Sequence, residues 1–179
     1  SINNLKSRGL FKKVDAEILD SDQNIDSKII NISVEEQPTG EIFAAAGTGT
    51  TGSTLGAGIK ENNYLGRGIK IDTNISLSDD QIKGKFSVEN PNFKNSDKSL
   101  VSTLESTNSD FLTVSGYKTS RTGLLFGTSF EQYEDTTLSL SLSNYYEKLE
   151  TNSSASSIVK KQEGDYIENL FEYGISVNK

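Results

Sequence analysis

The chain has 179 residues, a formal net charge of -7, an apolar share of 33% and no Cys, His, Met or Trp. Those absences remove disulfides, thiol chemistry and the side chains most used for metal binding and for proton shuttling near neutral pH. The acidic balance argues against a grip on nucleic acid, which needs clustered Lys and Arg facing phosphates, and the apolar share supplies a single buried core only thinly.

Ile2 and Leu5 sit three apart before Gly9, which predicts the end of a helix over residues 1–8. Two strand-like runs follow, residues 11–19 and 28–36, joined by the polar stretch 20–27; Ile30, Ile32 and Val34 share a face of the second. A helix followed by a hairpin reads as the last part of a small α+β module whose first part lies upstream of Ser1. With no initiating Met and no signal peptide, the sequence reads as an interior fragment.

Pro38-Thr39-Gly40 then punctuates the chain, and everything beyond it reads as strands and turns. Strands are predicted over residues 40–48, 53–61, 68–78, 81–90, 98–107, 119–130, 136–148 and 166–177, spaced as an up-and-down meander. Within them the alternation is nearly strict: Ile69, Ile71, Thr73, Ile75 and Leu77 fall on one side, and Lys70, Asp72, Asn74 and Ser76 on the other. Asp79-Asp80 reads as a tight hairpin turn, and 62–67, 91–97 and 131–135 as compact links on the opposite rim. The link over 149–165, rich in Ser and Asn, is the longest. Many alternating segments of about ten residues, with short turns on one rim and longer loops on the other, form the pattern of a transmembrane β-barrel.

Periodicity alone leaves two architectures open. Lys70, Asp72, Lys83, Lys85 and Glu89 line the lumen of a barrel, or else the wet outer face of a soluble β-sandwich binding a carbohydrate or protein; cross-strand ion pairs are possible in both. A spanning helix is out of reach, since the longest clear apolar run, residues 42–46, falls far short of the roughly 20 residues required.

Motifs suggestive of chemistry have plainer explanations. Gly47-Thr-Gly49-Thr-Thr-Gly52 matches G-x-G-x-x-G, with Asp72 twenty residues beyond, but the motif holds a pyrophosphate only where it opens a helix. Here the following residues alternate as a strand, so a glycine-rich hairpin is expected. Asp79 and Asp80 read as a solvated turn rather than catalytic carboxylates, and Glu35 and Glu36 as a strand end. Tyr145 and Tyr146 close an alternating strand, either as anchors at lipid headgroups or as ordinary strand aromatics. No catalytic, cofactor-binding or metal-binding residue is predicted, and the protein is not read as an enzyme.

Three motifs in order carry a resemblance: Glu36-Gln37-Pro38-Thr39-Gly40, Glu61-Asn62-Asn63-Tyr64-Leu65-Gly66-Arg67-Gly68 and Glu89-Asn90-Pro91-Asn92-Phe93, preceded by Asn4-Leu5-Lys6 and Gly9-Leu10-Phe11-Lys12-Lys13-Val14. Together they resemble the BamA family, central subunits of the outer-membrane β-barrel assembly machinery, over essentially the whole chain. The related translocation subunits of the TamA type share the architecture and rank second. The resemblance implies that residues 1–37 end the last periplasmic POTRA module and that residues 38–179 form the N-terminal half of an outer-membrane barrel. The family's Arg-Gly-Phe type loop motif and closing strand are not in this sequence. A small porin-like barrel of eight strands is disfavoured by the ending Ser-Val-Asn-Lys, where such barrels usually end in an aromatic residue.

The function so implied is folding and insertion of β-barrel proteins into the bacterial outer membrane, with client strands pairing at the edge of the first barrel strand. In this sequence that edge is Gly40, Glu41, Ile42, Phe43, Ala44, Ala45, Ala46, Gly47 and Thr48, whose small residues pack weakly and favour strands poorly. The partners implied are unfolded barrel clients, accessory periplasmic lipoproteins and outer-membrane lipid, with the N-terminal segment in the periplasm. No cofactor is implied, because the client's own burial and hydrogen bonding supply the energy.

Overall fold

The computed structural model describes residues 9–20, 28–49 and 52–177, so the helix expected over residues 1–8 lies outside the described residues. The chain divides into two compact units, Ser1–Gly40 and Glu41–Lys179. In the first, β1 (Phe11–Asp20) and β2 (Lys28–Glu36) form an antiparallel hairpin in which Val14, Ala16 and Ile18 oppose Val34, Ile32 and Ile30. The predicted sharing of one face by the three β2 residues therefore holds, and Val14 is buried there. Gln37 closes the hairpin's open end, its backbone N–H donating to the Leu10 carbonyl at 3.2 Å and its side-chain amide to the Gly9 carbonyl at 2.7 Å.

The second unit is built on an eight-stranded antiparallel meander. Its strands are β3 (Gly40–Gly49), β4 (Gly52–Tyr64), β5 (Ile69–Ser78), β6 (Gln81–Asn90), β7 (Ser99–Phe111), β8 (Tyr117–Tyr133), β9 (Thr136–Thr151) and β10 (Gly164–Val177). A short helix, α1 (Ser157–Lys160), lies between β9 and β10. The order runs without crossover from β10 to β3, which are the two edges of an open sheet, so the closed eight-stranded barrel considered from the sequence is not what this chain forms.

All the predicted strands are present, but β7, β8 and β9 run further than their hydropathy pattern suggested. The reason lies in the backbone: the ladder continues past the last apolar residue, with Asp110 opposite Lys118 and Lys118 opposite Glu150. Polar residues on both faces end the alternation without ending the hydrogen bonding. The expected difference in loop length between the rims is also not simple. One rim carries the tight 79–80 turn beside the long 152–163 link, and the other carries 65–68, 91–98 and 134–135.

The motif turns are explained by their hydrogen bonds. In the 61–68 motif the Asn63 side chain accepts from the Gly68 N–H at 2.7 Å, its own N–H donates to Glu61 at 2.7 Å, and Leu65 and Gly66 take positive φ of 54° and 69°. In the 89–93 motif Asn90 accepts from the Asn92 N–H at 3.1 Å, and Phe93 donates to the Lys98 carbonyl at 2.8 Å. Asn side chains thus replace strand partners where the ladder stops. On the other rim the 152–163 link folds back onto the 112–116 turn: the Asn152 amide donates to the Leu112 carbonyl at 3.0 Å and Ala155 is buried against Gly116.

Register sorts the side chains into two faces. Lys70, Asp72, Asn74 and Ser76 oppose Glu89, Ser87, Lys85 and Lys83, which continue through Val101, Thr103, Glu105 and Thr107 to Gly127, Leu125, Gly123 and Arg121. On the reverse face Ile71, Ile75 and Leu77 join Val88, Gly84 and Ile82, and further along lie Leu104, Leu124, Phe126 and Leu142. Burial is the inverse of a soluble domain's. The buried strand side chains of this unit, Thr103, Ser109, Ser143 and Tyr145, all lie on the polar face, Ser143 being 3% exposed, whereas Ile75 is 53% and Phe126 53% exposed. Aliphatic rows exposed in this way do not meet one another in a two-layer core, which removes the sandwich reading.

Candidate functional site

Every residue of the predicted templating edge lies in β3, the terminal strand of the sheet, which among the described residues has a neighbour, β4, on one side only. Gly40 to Thr48 are all exposed, Ile42 to 84%. Phe43 turns toward the polar face, where its ring lies on Gly58 of β4, so Ala44 and Ala46 point the other way. There the alanines, with Leu55, Ala57, Ile75 and Leu77, surround a shallow apolar hollow of about 480 Å³. The hollow is what the short side chains of Ala44, Ala46 and Ala57 leave beside Leu55, Ile75 and Leu77.

The polar face carries a network that sequence reading missed. Arg121 on β8 reaches Glu168 on β10 at 2.8 Å and Glu147 on β9 at 3.6 Å, with its guanidinium carbon 4.0 Å from the centre of the Tyr145 ring. The Tyr145 hydroxyl donates to Glu105 on β7 at 2.8 Å. The ring lies on Gly123, directly opposite it on β8. Four strands are thereby tied across one face. The charges were visible in the sequence, but Glu105 and Tyr145 are 40 residues apart and only the register brings them together. The expected ion pair between Lys70 and Glu89 forms at 3.2 Å on the same face, half in solvent and so worth at most about 1 kcal/mol.

The two adjacent tyrosines divide. Tyr145 enters the network and is only 9% exposed, while Tyr146 stands half exposed on the apolar side opposite Ile167. A headgroup anchor is therefore ruled out for Tyr145. The glycine-rich motif opens β4, a strand, so no helix N-terminus is available for a pyrophosphate. Asp79 instead accepts the Ser53 N–H at 3.3 Å and ties one hairpin tip to the next, and the Asp80 carbonyl accepts the Asp110 N–H at 2.8 Å.

A Cβ added at Gly123 would lie 2.6 Å from Tyr145 Cε1 and 2.8 Å from the Asn144 carbonyl oxygen. Gly123→Ala is thus expected to unseat the ring and cost about 1–3 kcal/mol, the range for overpacking. The measurement is the midpoint of guanidinium unfolding from lipid vesicles; an unshifted midpoint would show the seat to be soft.

The apolar face has a definite upper limit. Leu104, Leu124, Phe126, Leu142 and Phe171 belong to a continuous band. Beyond it the same face turns largely polar around Tyr146 and Ile167, with Ser106 and Thr122 hydrogen-bonded at 2.8 Å and Asn144 and Asn169 at 2.6 Å. Further out the strands carry Asn108, Asp110, Lys118, Ser120, Lys148 and Glu150 on that face. An antiparallel meander with an exposed oily belt, a polar collar above it and a charged, shielded inner face is a wall of a transmembrane β-barrel.

The comparisons with known proteins place that wall. Residues 63–179 match the Omp85 superfamily domain. The chain belongs to the Omp85 superfamily. Its fold is similar to the crystal structure of BamA from Haemophilus ducreyi lacking POTRA domains 1–3, with a TM-score of 0.76 and 21% sequence identity over 99% of this chain. The chain spans 37% of that chain's length. The resemblance read from the motifs is thereby borne out at the level of the Omp85 superfamily and its fold.

Proposed function

We propose that the protein takes part in folding and inserting β-barrel proteins into the bacterial outer membrane, and that β3 is the edge at which client strands are templated. The observation that carries this reading is the terminal position of β3 combined with its Ala44-Ala45-Ala46-Gly47 run. In hydrocarbon an unpaired backbone group costs several kcal/mol, so an open edge must close or recruit a strand. A client strand supplies the missing partners through its own backbone, whatever its side chains, which suits a varied set of clients.

On this reading the first unit's hairpin ends a periplasmic POTRA module, with the module boundary at residues 37–38. The rim from which the chain enters β3 faces the periplasm, and the collar beyond the apolar belt faces outward. The partners are unfolded outer-membrane barrels, accessory periplasmic lipoproteins and membrane lipid. No side chain performs covalent chemistry, so the protein acts by pairing alone.

The direct test reconstitutes the protein in lipid vesicles and follows the protease resistance of an added unfolded outer-membrane barrel. Insertion is expected to run at least about tenfold faster than in empty vesicles, which needs only about 1.4 kcal/mol of barrier reduction. Equal rates would refute the proposal.

A further inference from the structure

Among the described residues the inner face carries aromatic rings seated on glycines at two places, and the two seats differ. A Cβ on Gly58 would stand 2.6 Å from Phe43 Cε1 and 2.6 Å from the Thr73 carbonyl oxygen, closer to both than any real Cβ lies. The Phe43 ring therefore rests directly on bare backbone and buries Gly58 beneath it. The Tyr145 ring rests on Gly123 in the same way, but it is also covered by Arg121 and tethered through its hydroxyl to Glu105. Phe43 has no polar handle, is 39% exposed, and has the Lys60 ammonium as its charged neighbour, 5.8 Å from the ring centre.

We infer that Phe43 is the releasable clasp of the edge strand, a positioning residue whose ring on Gly58 holds β3 against β4 and sets how readily that edge opens. Along β3 it is the large apolar side chain on the inner face, two residues after Glu41, and the strand continues through Ala44, Ala45, Ala46 and Gly47, which add little grip. Packing of a flat ring on a glycine contributes dispersion and shields the backbone hydrogen bonds beneath it from water, both of which slow local opening. The same device restores pairing at glycines in strand edges generally. The bolted Tyr145 seat keeps β7 to β10 rigid while the unbolted Phe43 seat can lift. The strand is thus pinned near its start and lax toward Gly47, so opening begins at the lax end with Phe43 as the last contact to part.

This inference rests on the templating reading above, and the experiment separates the two. Hydrogen exchange by mass spectrometry is followed on the protein in lipid nanodiscs, comparing wild type with Phe43→Ala, Phe43→Leu and Phe43→Tyr. Amides of β3 are expected to exchange about tenfold faster in Phe43→Ala, less so in Phe43→Leu, and at the wild-type rate in Phe43→Tyr, which keeps the ring; β7 to β9 should not change. Should Phe43→Ala fail to fold, the Leu and Tyr variants give the same ordering. Unchanged β3 exchange in both the Ala and Leu variants overturns the clasp, and so does a uniform loss of protection across β4 to β9. Accelerated β3 exchange with an unmoved rate of client insertion upholds the clasp and counts against templating at this edge.

Discussion

Proline at position 44 or 45 is expected to cut client insertion by roughly hundredfold, because it removes a backbone donor in hydrocarbon where about 3 kcal/mol is lost with it. Successive residues of a strand direct their N–H groups to opposite sides. One of the two prolines therefore strips a donor facing the open edge, and the other strips a donor facing β4. The edge-facing variant should fold and remain protected like wild type yet insert clients slowly; the β4-facing variant should also lose protection in β3. Both are read by vesicle insertion and hydrogen exchange on the same preparations. Normal insertion by both variants would exclude β3 as the template.

An arginine at Phe126 tests the lipid-facing assignment with the second largest expected effect. Phe126 lies in the middle of the apolar run of β8, between Leu124 and Phe130, and is 53% exposed. A cation there faces the hydrocarbon and should destabilise the wall by about 2–4 kcal/mol, whereas Ser120→Arg, on the same face above the belt, should change stability by no more than about 1 kcal/mol. Guanidinium titrations from lipid vesicles give both values. Equal effects at the two positions would mean that the belt does not meet lipid. The pair controls for strand propensity, since both residues lie in β8 on the same face.

The two tests address different links of one argument. Phe126→Arg asks whether the exposed aliphatic rows are solvated by acyl chains, which is a statement about the whole wall. The prolines ask whether the backbone of one strand does the work. Gly123→Ala and Phe43→Ala then separate the part of the wall that must stay fixed from the part that must move. On the proposed reading, a wall tied by Arg121, Tyr145 and three glutamates toward β10, with the Phe43 ring resting on Gly58 toward β3, opens most readily at the edge where a partner strand would add.

What the sequence determined by itself was the set of strands and their two faces. A period of two in residues 69–77 and 82–88 is imposed by the pleat, and no tertiary contact is needed to see it. β6, Gln81–Asn90, appears where it was expected because Asp79-Asp80 and the Asn90-Pro91 step bound it with local turn chemistry. β3, Gly40–Gly49, likewise appears where a strand was expected, just past the Pro38-Thr39 break. Strand ends were less legible in β7 to β9, where the hydropathy signal stops before the backbone ladder does.

Only the tertiary structure decided which face is shielded and what lies on it. Alternation reads the same whether the aliphatic rows meet one another or meet lipid, because it depends on the strand and not on what covers it. The open eight-stranded order, with its polar side chains buried and its Ile, Leu and Phe rows exposed, broke that tie. The contacts of Tyr145 with Glu105 and of Phe43 with Gly58 were equally out of reach, because each depends on cross-strand register, a property of the assembled sheet that no single segment contains.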